Sequence, residues 1–238
     1  MSQAADSTRI VVVGKTGVGK SSTANTVLGK KVFRVFASPK SGTAQCEAHV
    51  QEVLGRQVKW IDTPGLFDTD RPEKEMKQEI LKCITECHPG PHVFLILLPV
   101  GRYTAHEEQM VNMLRTYFSQ NMLRFSILLF THGDDLDDGQ SIQEFVSESP
   151  SLKELLQSCG NRVHVVDNKR WGGELDGYRS NRHQVRALFQ TVEQMMSANT
   201  GHYTNSLFQQ PLEDLLLKAY SYTAGALLLA FFGRALLS

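Results

Sequence analysis

Eight residues constrain this chain more than any others: Gly14-Lys15-Thr16-Gly17-Val18-Gly19-Lys20-Ser21, directly after the apolar run Ile10-Val11-Val12-Val13. They fit Gly-x4-Gly-Lys-Ser/Thr between a strand and the start of a helix, the arrangement of a phosphate loop. Glycines let the backbone close around phosphates with its N–H groups turned inward. A helix opening at Lys20 adds the positive end of its dipole. Lys20 is expected to reach the β and γ phosphates, and the Ser21 hydroxyl to ligate Mg2+. A chance glycine-rich turn is the alternative, and the strand in front argues against it. Nucleotide binding through Gly14 to Ser21 is the first expectation.

Taken in order, Arg9 to Val13 reads as a buried strand and Lys20 to Gly29 as the first helix, stopped by Gly29. Lys30 to Thr43 is mixed and polar, a loop able to move. Alternation at Cys46 to Leu54, a Gly55-Arg56 turn and a return from Gln57 to Ile61 predict a hairpin. That second strand delivers Asp62-Thr63-Pro64-Gly65. Opposite a phosphate loop, Asp62 can hold Mg2+ through water and the Gly65 N–H can touch a γ phosphate. Standing alone the tetrapeptide would be a common turn.

Arg71 to His88 carries Met76, Ile80, Cys83, Ile84 and Cys87 at helical spacing, with Pro72 suited to the first turn. Cys83, Cys87 and His88 also suggest zinc, but a fourth ligand is missing and Cys83 falls on the apolar stripe. Val93 to Leu98 is apolar throughout, as in a central parallel strand covered on both faces. Thr104 and Glu107 form a capping box before a helix whose inner face is Met110, Leu114 and Tyr117. Phe125 to Phe130 is again a buried strand and runs into Thr131-His132-Gly133-Asp134.

A carboxylate at Asp134 can accept from the ring N–H and the exocyclic amine of guanine, at about 1.5–3 kcal/mol for each charged bond. Adenine offers neither donor there and would leave the carboxylate unpaired. His132 can stack on a purine. The competing reading leaves Asp134 in an acidic surface loop running to Asp138. Ser141/Glu144 and Ser151/Glu154 predict two short capped helices. Arg162 to Val166 is the last strand, bringing Asp167-Asn168-Lys169 to the same sheet edge, with Asn168 placed to meet the base. Tyr178 to Asn199 closes the series as a long helix with Val185, Leu188, Val192 and Met195 inward.

The fold class that follows is α/β: a doubly wound, mostly parallel sheet with one antiparallel hairpin strand, the G domain of a phosphate-loop GTPase. The 238 residues divide into a disordered amino terminus (1–7), the domain (8–201), and a helical extension (202–238) ending in an apolar segment. With 25 basic and 25 acidic side chains, net charge is zero, which argues against nucleic acid as main partner. Met1 to Arg9 lacks an apolar signal core, so a cytoplasmic location and four reduced cysteines are expected.

Together the motifs resemble the GTPase IMAP family (immunity-associated, AIG-type), relatives of septins and of plastid import-receptor GTPases, over residues 7–200. The resemblance rests on Arg9 to Gly17, on Asp62-Thr63-Pro64-Gly65-Leu66-Phe67-Asp68, and on Phe130 to Leu136. Most specific is Gly90-Pro91-His92-Val93-Phe94-Leu95 through Pro99-Val100-Gly101-Arg102-Tyr103-Thr104, which is similar to the family's own box. It implies GTP or GDP binding with Mg2+ at Gly14 to Ser22, at His132, Gly133 and Asp134, and at Asn168. It also implies a first switch whose Mg2+-sensing residue is Thr43, and GTP-dependent dimerisation through the nucleotide face. Val35 departs from the pattern, standing where members often have a serine.

In Ras-type GTPases a glutamine follows the Asp-x-x-Gly glycine and orients water; here that position is Leu66. Intrinsic hydrolysis is therefore expected to be slow, with Arg102 the candidate for a catalytic arginine, acting across a dimer by the resemblance. Its alternative is a surface ion pair. Two functions stay open, a GTPase that hydrolyses on dimerisation and a GTP-regulated scaffold with little turnover. Adenine specificity is a third reading. Finally, Ala224 to Leu237 is apolar on every helical face with Arg234 its only charge. Residues 221–238 are expected to contact an internal membrane from its cytosolic side, the alternative being a terminal helix packed on the domain.

Overall fold

The computed structural model describes residues 7–35, 45–65, 72–171, 177–199 and 201–219. Six strands form one sheet: β1 (Thr8–Val13), β2 (Glu47–Val53), β3 (Arg56–Asp62), β4 (Val93–Pro99), β5 (Ser126–Thr131) and β6 (Val163–Val165). Their order is β2-β3-β1-β4-β5-β6, with β2 antiparallel to β3 and every other pair parallel. The doubly wound α/β sheet with one antiparallel hairpin strand is thus the fold. Among the described residues the sheet is flanked by α1 (Lys20–Leu28), α2 (Glu73–Cys87), α3 (Ala105–Phe118), α4 (Ile142–Ser147), α5 (Pro150–Ser158) and α6 (Asn181–Asn199).

The period-two alternation of the strands sorts the core into two layers. Ile10, Val12, Leu95, Leu97, Ile127 and Leu129 face α1 and α6, packing with Val27, Leu188 and Val192. Val11, Val13, Phe94, Ile96, Leu128 and Phe130 face the opposite layer, where Ile80, Ile84, Leu114, Val146 and Leu152 cover them. Both faces of β4 are covered, which is why its sequence is an unbroken apolar run. Beyond α6, Tyr203 is fully buried against Phe94, Phe125 and Phe208, and its N–H donates to the Pro91 carbonyl at 2.8 Å. Residues 212–219 are helical, with Leu215 buried. No helix among the described residues is long and apolar enough to cross a membrane; residues 221–238 lie outside them.

Several boundaries differ from the sequence expectation. The hairpin turn is Leu54-Gly55, not Gly55-Arg56: Val53 pairs with Arg56, and both turn residues take positive φ (50° and 79°). Those angles match the twist of the flanking strands. The helix expected from Ser151/Glu154 is capped two residues earlier, by Ser149, whose hydroxyl accepts from the Leu152 N–H, with Pro150 in the first turn. Pro72 caps α2 from outside its first turn. Phe125 ends a 3-10 turn (Gln120–Phe125) ahead of β5, and α6 starts at Asn181, not Tyr178. The Thr104/Glu107 and Ser141/Glu144 capping boxes are both present. Cys83 and Cys87 are buried on the inner face of α2, and the Cys87 thiol donates to the Cys83 carbonyl at 2.8 Å. That is a packing role. Among the described residues no group of three or more His, Cys, Asp or Glu could hold a metal ion.

Candidate functional site

β1 lies between β3 and β4, so the connections leaving its carboxyl end and theirs diverge to opposite layers. This opens the crevice in which doubly wound sheets bind ligands. Five segments end there: Gly14–Gly19 after β1, Thr63–Gly65 after β3, Val100–Tyr103 after β4, His132–Asp135 after β5 and Val166–Trp171 after β6.

The phosphate loop enters α1 through Gly19, which sits in the left-handed region (φ 96°) and caps the helix without a side-chain hydrogen bond. The first N–H groups of α1 thus stay turned toward the crevice, a ready anion site. Lys20 is buried, and its ammonium donates to the Gly14 and Lys15 carbonyls at 2.8 and 2.9 Å. That fastens the cation to the loop it serves. Val18 is buried, Thr16 and Gly17 are exposed, and Ser22 is half-buried. The Lys15 ammonium reaches Glu107 Oε1 at 3.1 Å. Burial opposes the Glu107 charge, but hydrogen bonds from Thr104 and Lys15 outweigh it and hold the carboxyl below its ordinary range. The capping residue of α3 therefore also ties α3 to the phosphate loop. A cavity of about 200 Å3 opens beside this contact, lined in part by Lys15, Val18, Pro99 and His132.

Ser21 and Asp62 meet at the foot of the loop. The Ser21 hydroxyl donates to Asp62 Oδ2 at 2.6 Å, and Thr63 Oγ1 donates to the Val12 carbonyl at 2.6 Å, pinning the segment to β1. Asp62 is 1% exposed, and its Oδ1 is buried with no hydrogen-bond partner among the described residues. Burial pushes its carboxyl up to about 6, against the opposing effects of the Ser21 bond and the Lys20 charge. A buried, unpartnered carboxylate oxygen beside a serine hydroxyl suits a hard divalent cation with oxygen ligands and water. Gly65 is buried nearby in the chain; Thr43 and Leu66 lie outside the described residues.

At the other end of the crevice, Thr131 Oγ1 donates to the Val18 carbonyl at 2.9 Å, joining the β5 loop to the phosphate loop. Because that hydroxyl spends its proton there, the 3.0 Å contact with His132 Nδ1 requires the ring to donate. Gly133 N–H donates to the Val166 carbonyl at 3.1 Å, and the Asp134 N–H to Asp167 Oδ2 at 3.4 Å. Asp167 opposes burial with N–H bonds from Arg170, Lys169 and Asp134, which hold its carboxyl below its ordinary range. Trp171 lies on Gly133 so closely that a Cβ there would stand 2.5 Å from the indole. The Asp134 carboxylate pairs with the Arg170 guanidinium. Asn168 spends both ends of its amide on α1: Nδ2 donates to Thr23 Oγ1 at 3.1 Å, and Oδ1 accepts from Thr26 Oγ1 at 2.8 Å. A base contact from this side chain requires one of these bonds to be exchanged. Arg102 is exposed in the loop after β4 and forms no ion pair with a described residue. Val35 is exposed.

Residues 8–218 match the AIG1 family. The chain belongs to that family. Among relatives, it is 33% identical over 212 residues to immune-associated nucleotide-binding protein 9 of Arabidopsis thaliana, covering 87% of this chain and 60% of that protein. It is 29% identical over 202 residues to GTPase IMAP family member 8 of Mus musculus, covering 83% of this chain and 28% of the mouse protein. The AIG1 chain thus spans less than two thirds of the length of each of these relatives. Among solved structures, Toc33 of Arabidopsis thaliana with GDP and Mg2+ has the same fold, with a TM-score of 0.61 and 23% identity over 79% of this chain and 85% of that one. Another Toc33 structure (TM-score 0.61, 22% identity, 80% of this chain and 83% of that one) is described by the importance of dimerisation for GTPase activity. The expected IMAP resemblance is therefore correct, and the fold is that of a phosphate-loop G domain.

Proposed function

We propose that this AIG1-family chain binds GTP and GDP with Mg2+, assembles through its nucleotide face in the GTP state, and hydrolyses GTP slowly or on dimerisation. The observation that carries the reading is Asp62 Oδ1, buried and without a hydrogen-bond partner among the described residues, beside Ser21 Oγ at the foot of a loop whose lysine is already fastened in place. Ser21 and Asp62, with Thr43, are the residues that would hold the cation, which when bound neutralises charge on the β and γ oxygens. Gly14 to Ser22 cradle the phosphates, and Gly65 meets the γ phosphate. His132, Gly133, Asp134 and Asn168 form the base end. Toc33 with GDP and Mg2+ supports this assignment by its shared fold.

The decisive experiment is titration calorimetry with GTP, GDP and ATP, with and without Mg2+. Tight, Mg2+-assisted binding of GTP over ATP is expected, with Lys20→Ala losing triphosphate affinity and Asp134→Asn shifting preference toward xanthine nucleotides. Equal affinity for ATP and GTP, or a Lys20→Ala protein that binds as the parent does, refutes the reading.

With Leu66 where a water-orienting glutamine would stand, catalysis needs charge supplied from elsewhere, and Arg102 of a second copy is the source we assign. Its exposure at the crevice rim and the dimerisation described for Toc33 both favour it. A GTP-regulated scaffold with negligible turnover is the second reading, favoured by the same missing glutamine. Phosphate release measured across protein concentration separates the two: specific activity rises for the first and stays near zero for the second. The apolar run 221–238 is assigned to membrane contact on the cytosolic side, and no nucleic acid is assigned. Its deletion is expected to release the protein from liposomes with GTP binding intact; a full-length protein that floats free of liposomes refutes the anchor.

A further inference from the structure

We propose that Arg170 is an internal competitor for the guanine base, occupying Asp134 with the donor pattern that guanine itself presents. This rests on the reading of Asp134 as the base acceptor. The Watson–Crick edge of guanine carries N1–H and the C2 amine on one carbon, an embedded guanidine. The arginine guanidinium is the same fork of parallel N–H donors. In the structure Arg170 Nη1 donates to Asp134 Oδ2. Through this one N–H, Arg170 holds an oxygen of the carboxylate that the guanine fork would take.

The placement of Arg170 is built into the fold. Residues on both sides of it are anchored: Asp167 Oδ1 accepts from the N–H groups of Lys169 and Arg170, and Trp171 is buried against Gly133. Asp134 is in turn fixed at its own N–H by Asp167 Oδ2. Two short, mutually bonded backbones thus hold acceptor and competitor opposite each other. The side chain itself is free to leave, since the Arg170 side chain is 73% exposed while that of Asp134 is 28% exposed. An exposed pair of this kind is weak and salt-sensitive, so it delays and tunes base entry without blocking it. A base arriving with its phosphates already anchored displaces the arginine; adenine, which lacks the fork, has no means to do so. Guanine must break this pair to reach the carboxylate, so the competitor lowers guanine affinity.

The test is calorimetric titration of the full chain with GDP and Mg2+ for the parent, Arg170→Ala, Asp134→Asn and the double variant. Arg170→Ala is expected to bind GDP about three- to fivefold more tightly at low salt, and the advantage to vanish at 0.5 M salt. In the Asp134→Asn background, removing Arg170 is expected to give no gain, because there is no longer a carboxylate to release. Arg170→Lys, which keeps the charge but not the fork, should fall between parent and alanine variant. Unchanged thermal midpoints confirm that the variants fold. An Arg170→Ala protein that binds GDP as the parent does, or more weakly, overturns the proposal, the weaker result making Arg170 a contact of the bound base. If Asp134→Asn itself binds GDP like the parent, the base-acceptor reading fails and the competitor falls with it.

Discussion

Acid should loosen this molecule through one histidine ring on the edge strand β6. His164, the middle residue of β6, is half-buried, and its Nε2 lies 2.8 Å from Thr191 Oγ1 on α6. Thr191 Oγ1 donates to the Ala187 carbonyl at 3.2 Å, so it accepts from the histidine, which fixes the neutral tautomer with Nε2 protonated. Burial pushes the imidazole down from 6.5 to about 4. Between those values the unfolded chain takes up a proton that the folded chain refuses. The contribution of His164 to stability is therefore complete above pH 6.5 and is lost as pH falls toward 4. At about 1.4 kcal/mol per pH unit, the loss approaches ~2 kcal/mol by pH 5, an upper figure because the ring keeps some contact with water. For a domain of this size that is a fall in Tm of about 4–8 °C.

His164→Gln isolates the effect. Glutamine can still donate to Thr191 Oγ1 and takes up no proton in this range. Thermal melts of parent and variant at pH 7.5 and pH 5 should show the parent losing ~2 kcal/mol more than His164→Gln. Other carboxylates titrate equally in both proteins and cancel in the difference. Parallel losses in the two proteins would refute the argument and mean that the folded ring accepts its proton as easily as the unfolded one.

Three further outcomes follow from the crevice. Asp62→Asn removes a buried charge whose Oδ1 has no partner among the described residues, so the variant should fold at least as stably as the parent while its GDP affinity becomes nearly independent of Mg2+; a retained Mg2+ dependence in calorimetry contradicts the metal assignment. Gly133→Ala puts a methyl group 2.5 Å from the Trp171 indole, and should cost about 1–3 kcal/mol with a red-shifted tryptophan emission; an unshifted spectrum and melt would mean the contact is not close. Arg102→Ala should lower turnover at high protein concentration and leave nucleotide affinity unchanged, since the side chain pairs with no described residue; loss of binding would move Arg102 into the nucleotide pocket of its own copy.

What was legible in the sequence was what short-range chemistry dictates. The phosphate loop, the unbroken apolar β4 and the two capping boxes each follow from residues a few positions apart, and all four stand as expected. Even the misplaced cap had its signal, since a serine followed by proline at the first helical position outranks a serine two residues later. The Leu54-Gly55 turn had a weaker one, because leucine at positive φ defies its own preference and is imposed by the Val53–Arg56 pairing. The base end is different in kind. Asp134 and Arg170 are 36 residues apart, and Asp134 and Asp167 are 33 apart. Their meeting depends on the register of β5 with β6, a strand of only three residues flanked by polar loops. Sequence spacing correctly brought both loops to one sheet edge, but which side chain faces which follows from long-range contacts, the bonds of Asp167 to the Asp134, Lys169 and Arg170 N–H groups and the close packing of Trp171 on Gly133. Glycine there reads in the sequence as a turn residue; in the structure it is the space an indole needs.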